Sequence, residues 1–152
     1  MKKVMTLCYV LYEGHALLGL KKRGFGVGHW VGFGGKVQEG EAIEEAAHRE
    51  VFEEAGIVPL DLTPRGVLNF SFEDGSSPDL EVHIFSVTKY RGEPTETEEM
   101  YPQWFAHSDI PYEDMWADDV HWLPQLLDGA NVHARFVFAN KNRLISHEVS
   151  FS

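Results

Sequence analysis

Residues 34–57, GGKVQEGEAIEEAAHREVFEEAGI, constrain this chain more than any other stretch. From residue 41 to residue 55 glutamate and alanine dominate and no proline intervenes, which predicts a helix; Gly56 then offers a residue free to take positive φ and end it. At about 3.6 residues per turn, the spacings among Glu50, Glu53 and Glu54 stack three carboxylates on one helix face. Such a stripe repels itself unless positive charge lies against it. It is either a solvated acidic face, the commoner outcome for a glutamate-rich helix, or the ligand set of a divalent cation. All-oxygen anionic donors suit Mg²⁺ or Mn²⁺ rather than zinc, and no Cys/His set accompanies them. Arg49, beside the stripe, is suited to brace a carboxylate with two parallel hydrogen bonds.

The spacing says more than the acidity. Gly35, five residues, Glu41, seven residues, Arg49-Glu50-Val51, one residue, Glu53-Glu54, one residue and Gly56-Ile57 resembles the Nudix box of the Nudix hydrolases at every position. That resemblance implies a loop-helix-loop that binds divalent cations along the helix and hydrolyses a diphosphate linked to another moiety.

Length and charge bound the remaining possibilities. A chain of 152 residues is long enough to bury a core without metal or disulfide support, and one domain over residues 1–152 is expected. A net charge of -11 argues against duplex nucleic acid as a partner, because backbone binding needs clustered Lys and Arg. It does not argue against a nucleotide that arrives with its own Mg²⁺. Cys8 has no second cysteine to pair with and lies in an alternating apolar run, so it reads as a core residue in a reducing compartment. The two lysines and apolar run at the start imitate a signal peptide. The run nevertheless ends at Glu13 without a small-residue cleavage pattern and continues as HALLGLKKRG, the second arm of a hairpin. No stretch approaches a membrane span, and a cytoplasmic monomer is expected.

In chain order, residues 4–12 and 15–22 predict two strands turning at Glu13-Gly14, with both faces of the first apolar and the strand therefore inside a sheet. Lys21, Lys22 and Arg23 concentrate positive charge just ahead of the box, as an ordinary basic turn or as phosphate contacts. Gly24, Gly26 and Gly28 permit a loop that approaches a ligand closely. Residues 58–63 read as a connector, and residues 68–73 and 80–90 as a second hairpin in which Phe70 and Phe72 share a face. Residues 91–99 form an acidic loop whose last member, Glu99, adjoins the apolar segment 100–105 and is placed to add a carboxylate to the cluster. Residues 120–127 predict a second helix, capped by Asp118 or Asp119. A cap needs only one aspartate. Beside Trp116 and Trp122, a carboxylate pair can instead face an aromatic pocket, one member protonated, and offer both a donor and an acceptor. Residues 131–140 and 143–151 close the chain as two alternating strands, and His48, His83 and His121 read as structural. The overall pattern is α/β (α+β), a mixed β-sheet between helices, in agreement with the αβα arrangement that the box implies.

The resemblance extends past the box. KKRGFGVGHW leading into GFGGKVQEGE, then EM-x-P-x-WF over 99–105, then IPYEDMWADD with WLP behind it, is similar to the oxidised purine nucleoside triphosphatases, the animal MutT homologues that act on 8-oxo-dGTP. It implies a base pocket built from Thr6, Lys21, Phe25, Phe70, Leu80, Met100, Trp116, Asp118, Asp119 and Trp122, with the aspartates hydrogen-bonding the base and Trp116 stacking on it. One position departs from that family: Val31 stands where it has an asparagine that reaches the base edge. Valine neither donates nor accepts, so a polar base group facing it is buried unpaired at roughly 1 to 3 kcal/mol. The departure bears on specificity, leaving oxidised guanine, a 2-hydroxy or alkylated purine, or broad tolerance as readings.

The implied reaction converts a modified purine nucleoside triphosphate to monophosphate and pyrophosphate and so sanitises the nucleotide pool. Glu50, Glu53 and Glu54 are the metal-ligand candidates, joined by the Gly35 carbonyl and Glu99, and the base is Glu54, Glu50 or Glu99. The alternatives are a Nudix hydrolase of ADP-ribose, a dinucleoside polyphosphate or an RNA cap, and a catalytically silent Nudix binding domain. VLNFSFEDG, after the box, lacks the proline of the ADP-ribose branch, and silent members lose box glutamates that this chain keeps.

Overall fold

The structure is a computed structural model and describes residues 2–152. β1 (Lys2–Tyr12) and β2 (His15–Lys21) pair antiparallel through a two-residue turn in which both residues take positive φ, 47° at Glu13 and 77° at Gly14. That left-handed pair matches the twist of the flanking strands. The short β3 (Trp30–Val31) then pairs with β2 and leads into the box loop. α1 (Ile43–Ala55) starts two residues later than the composition suggests. Glu41 is taken out of the helix because its carboxylate accepts the Gln38 N–H and two nitrogens of Arg49. The helix ends, as expected, on Gly56 at φ 74°.

The region after the helix differs from a simple connector. β4 (Val58–Pro59) pairs with β7 (Tyr90–Arg91) in a small separate sheet, and β5 (Thr63–Phe72) begins before Pro64 rather than after it. A bulge between Pro64 and Gly66 tolerates the proline. Gly66 is required there: it sits at φ 133°, and a Cβ would lie 1.7 Å from the Val132 carbonyl oxygen. β6 (Asp79–Val87) stops short of residue 90, since the Thr88 and Lys89 N–H groups turn to the Asp61 carboxylate instead of a strand partner.

β8 (Met100–Ala106) pairs with β2, and β9 (Val132–Asn140) with β10 (Arg143–Phe151) forms the closing hairpin. The main sheet has eight strands, with β10-β9-β5-β6-β1-β2-β3 in order and β8 beside β2. β1–β6 and β5–β9 are parallel and the other pairings antiparallel, so the sheet is mixed and β1 lies inside it.

Alternation along the strands builds a core on each face. Cys8, Val10, Leu17, Phe85 and Val87 meet Ala47, Val51 and Ala55 of α1. Tyr9, Ala16, Leu18, Val82 and Ile84 meet Trp122, Leu123 and Leu126 on the other face. The result is the αβα sandwich. Its second helix is shorter than expected: a 3-10 turn at Asp119–His121 precedes α2 (Leu123–Leu127). Pro124 accounts for the break, because it lacks an N–H and is tolerated only in a first helical turn.

Arg65 holds the end of α2 to β5. Its buried guanidinium donates to the Leu126 and Ala130 carbonyls at 2.9 and 2.7 Å and to Asn131 Oδ1 at 3.0 Å. Arg65→Met is expected to lower stability by roughly 2 kcal/mol in urea denaturation, the worth of a charged hydrogen bond.

Candidate active site

The box brings its glutamates to the sheet through two glycine contacts. At Gly34 a Cβ would lie 1.8 Å from the Thr6 carbonyl oxygen, and at Gly35 it would lie 2.7 Å from the Glu50 carboxyl carbon. The loop therefore lies flat between β1 and α1, and the Gly34 N–H donates to Glu54 Oε1 at 2.8 Å. Glu54 is only 4% exposed. Burial pushes its carboxyl up to about 8; the charges of Glu50 and Glu99 push the same way, while the Gly34 N–H and the Lys21 ammonium oppose the rise. A group near that value exchanges its proton readily near neutral pH.

Arg49 binds the rest of the stripe. Its Nε and Nη2 donate to Glu41 at 2.8 and 3.0 Å, and its Nη1 lies 2.7 Å from Glu50 and 3.4 Å from Glu53. The paired guanidinium holds Glu41 well below the usual carboxylate range. Glu53 extends into solvent with 53% of its side chain exposed. Glu99 accepts from Arg23 Nη2 and Nε at 2.7 and 3.1 Å. Glu50, Glu53 and Glu99 therefore turn to guanidinium groups and Glu54 to a backbone N–H, and among the described residues no three His, Cys, Asp or Glu side chains converge as a metal-binding group. The donor set still fits a hard divalent cation. It is all oxygen, its Gly35 backbone has no side chain between it and Glu50, and the Glu54 carboxyl is buried away from solvent.

Of the three basic residues ahead of the box, one faces the site. Lys21 lines the cavity beside it. Lys22 instead pairs with Glu96 at 2.6 Å and the Thr97 carbonyl at 2.8 Å, and Arg23 with Glu98 and Glu99.

The cavity, about 200 Å³, opens between the box loop and the second face of the sheet. Thr6, Lys21, Phe25, Val31, Phe70, Leu80, Met100, Trp116, Asp118 and Asp119 all line it, as does Gly35. Gly19 makes room for Met100, since a Cβ there would come within 2.8 Å of the methionine sulfur. Trp122 stands behind this wall rather than in it: it is fully buried and donates Nε1–H to Asp118 Oδ2 at 2.9 Å.

That bond occupies one Asp118 oxygen. Asp118 makes no side-chain cap to the following turn. Both aspartates are buried at the cavity wall. Burial raises both carboxyls, and Asp119 rises much further because the Asp118 charge adds to it. The Trp122 N–H partly offsets the rise at Asp118. Burial and mutual repulsion therefore favour one proton on the pair, which presents a donor beside an acceptor.

Phe72, which the sequence puts on one face with Phe70, also lines the cavity, but the sequence missed Met5, Leu7, Tyr9, Val82 and Phe138 in its apolar wall. The parity that groups Met5, Leu7 and Tyr9 was available, but Phe138 reaches Phe72 only through the parallel register of β5 with β9. His29 beside Trp116 was also missed.

Comparison with known proteins places this geometry in a family. The NUDIX domain profile matches residues 1–126. The chain is 46% identical to the oxidized purine nucleoside triphosphate hydrolase of Danio rerio over 147 residues, 97% of this chain and 94% of that protein, and equally to that of Mus musculus over the same shares. Among solved structures, the MutT protein of Bacillus halodurans superposes with a TM-score of 0.83 at 25% identity, covering 97% of each chain.

Proposed function

Because this chain belongs to the Nudix hydrolase family, we propose that it hydrolyses oxidised or otherwise modified purine nucleoside triphosphates to the monophosphate and pyrophosphate. The carrying observation is the buried Asp118–Asp119 pair, set in an aromatic cavity that opens beside the box. A purine edge carries adjacent donors and acceptors, and an acid–carboxylate pair answers both. The names of the two curated relatives support the same substrate class.

In this reading Asp119 donates to the base and Asp118 accepts from it, held in place by Trp122. Met100 and Trp116 flank the base plane, and Lys21 lies toward the phosphates. Mg²⁺, or Mn²⁺, held by Glu50, Glu53, Glu54 and the Gly35 carbonyl with Glu99 nearby, would neutralise charge on the phosphoryl group under attack. Glu54 takes the proton from water, as the buried carboxyl that the Gly34 N–H holds in place.

Val31 lines the cavity where a hydrogen-bonding side chain would help define the base. The test is a pyrophosphate-release screen with Mg²⁺ over modified and unmodified purine triphosphates, on the wild type and Val31→Asn. The wild type is expected to favour modified purines. Val31→Asn is expected to change the ratio between oxidised guanine and ordinary guanine by about tenfold, the worth of one hydrogen bond. Equal cleavage of dGTP and its oxidised form by the wild type would remove the sanitising role and leave the hydrolase. Cleavage of only dinucleoside polyphosphates or caps would move the substrate elsewhere in the family.

A further inference from the structure

Trp122 stands behind the cavity wall, tied to a carboxylate, whereas Trp116 lines the cavity itself. What sets its plane is packing against one loop. His29 stacks on it at 4.3 Å between centroids and 9° between planes, and Phe25 at 5.2 Å and 19°. Gly26 closes in so far that a Cβ would lie 3.0 Å from the indole. Phe25 and Trp116 face the cavity, whereas His29 does not line it and so supports the indole from outside.

The imidazole is itself held. Its Nδ1 lies 3.1 Å from the Gly26 carbonyl oxygen, the His29 N–H donates to that same oxygen at 3.0 Å, and the His29 carbonyl accepts the Lys21 N–H at 2.9 Å. The His29 backbone is thus tied to the end of β2, and its ring to the loop.

We infer that His29 is a positioning residue for base recognition, its imidazole bracing Trp116 so that the indole plane is already set when a base arrives. The inference rests on the reading of this cavity as the base pocket. An indole free to rotate must be ordered at binding, which weakens affinity without touching the reacting phosphates. Loss of the brace therefore appears in KM and not in kcat.

The test compares the wild type with His29→Ala and with His29→Phe, which restores a planar ring. Two measurements are made: steady-state kinetics on a cleaved purine triphosphate with Mg²⁺, and acrylamide quenching of Trp116 without nucleotide. The Trp116 signal is isolated in each background by difference from Trp116→Phe. His29→Ala is expected to raise KM about tenfold, a typical loss of base stacking, and to leave kcat within about twofold. It should also make the Trp116 indole more quenchable, and His29→Phe should reverse both effects. Unchanged quenching in His29→Ala, an unchanged KM with the indole freed, or a failure of His29→Phe to restore either would overturn the proposal. If the wild type cleaves no purine triphosphate, the proposed substrate fails instead, and the quenching alone decides whether His29 braces the indole.

Discussion

Replacing Glu54 by glutamine is expected to lower turnover about 10²- to 10⁴-fold, the usual worth of a general base. Glutamine keeps an oxygen to accept the Gly34 N–H that now reaches Glu54 at 2.8 Å, so the box loop should stay where it is. What disappears is the charge and the proton acceptor. Excess chelator should do to the wild type what the substitution does, and added Mg²⁺ should rescue the wild type alone. Retention of near wild-type turnover by Glu54→Gln would transfer the base to Glu50 or Glu99.

The same substitution has an opposite effect on stability. With a carboxyl pushed up from 4.5 to about 8, the folded state keeps a proton that the unfolded chain releases. The folded protein therefore loses stability as pH rises from the unfolded value through the folded one, and is not penalised below it. Glutamine removes that loss, so in metal-free buffer near the upper end of this window the variant should be more stable by on the order of 4 kcal/mol. Thermal denaturation at several pH values measures it. A variant that melts no higher than the wild type at the upper end would show that the folded environment accommodates the ionised carboxylate.

Asp119→Ala is expected to cost about 100-fold in kcat/KM for a purine triphosphate, the upper range for a hydrogen bond to a charged or acid group. It removes the donor and leaves Asp118 with the Trp122 N–H as its remaining partner. Asp119→Asn keeps an N–H donor at the same place and should retain much more of the activity. Both variants should be more stable than the wild type above the ordinary aspartate range, because burial and the Asp118 charge hold the Asp119 proton in the folded state and the unfolded chain does not. Activity lost together with stability would mean that the pair holds the fold instead of reading a base.

How far this could be seen in advance differs element by element. The Glu13-Gly14 turn, both strands of the closing hairpin and the Gly56 stop were legible because each depends on residues adjacent in sequence. The early start of β5 was not: its proline is tolerated through a bulge, and its glycine is demanded by Val132, far along the chain. The second helix is shorter than its apolar spacing predicts because Pro124 is tolerated only in a first helical turn. At the site, ten of the eleven expected pocket residues line the cavity and Trp122 does not, since its role is to hold Asp118.

The sequence alone determined the helix that carries Glu50, Glu53 and Glu54 at one-turn spacing, and the family to which that spacing belongs. The helix follows from short-range backbone geometry, which repeats with a period that can be counted, and the family from the resemblance of that spacing to the Nudix box. Only the tertiary structure decided that Glu54 is the buried carboxyl of the stripe, that Lys21 and not Lys22 or Arg23 faces the cavity, and that burial raises both Asp118 and Asp119 at the cavity wall. A carboxyl's affinity for its proton depends on the water removed from it and the charges brought to it. In this fold those are set by segments far apart in the chain, and no spacing records them.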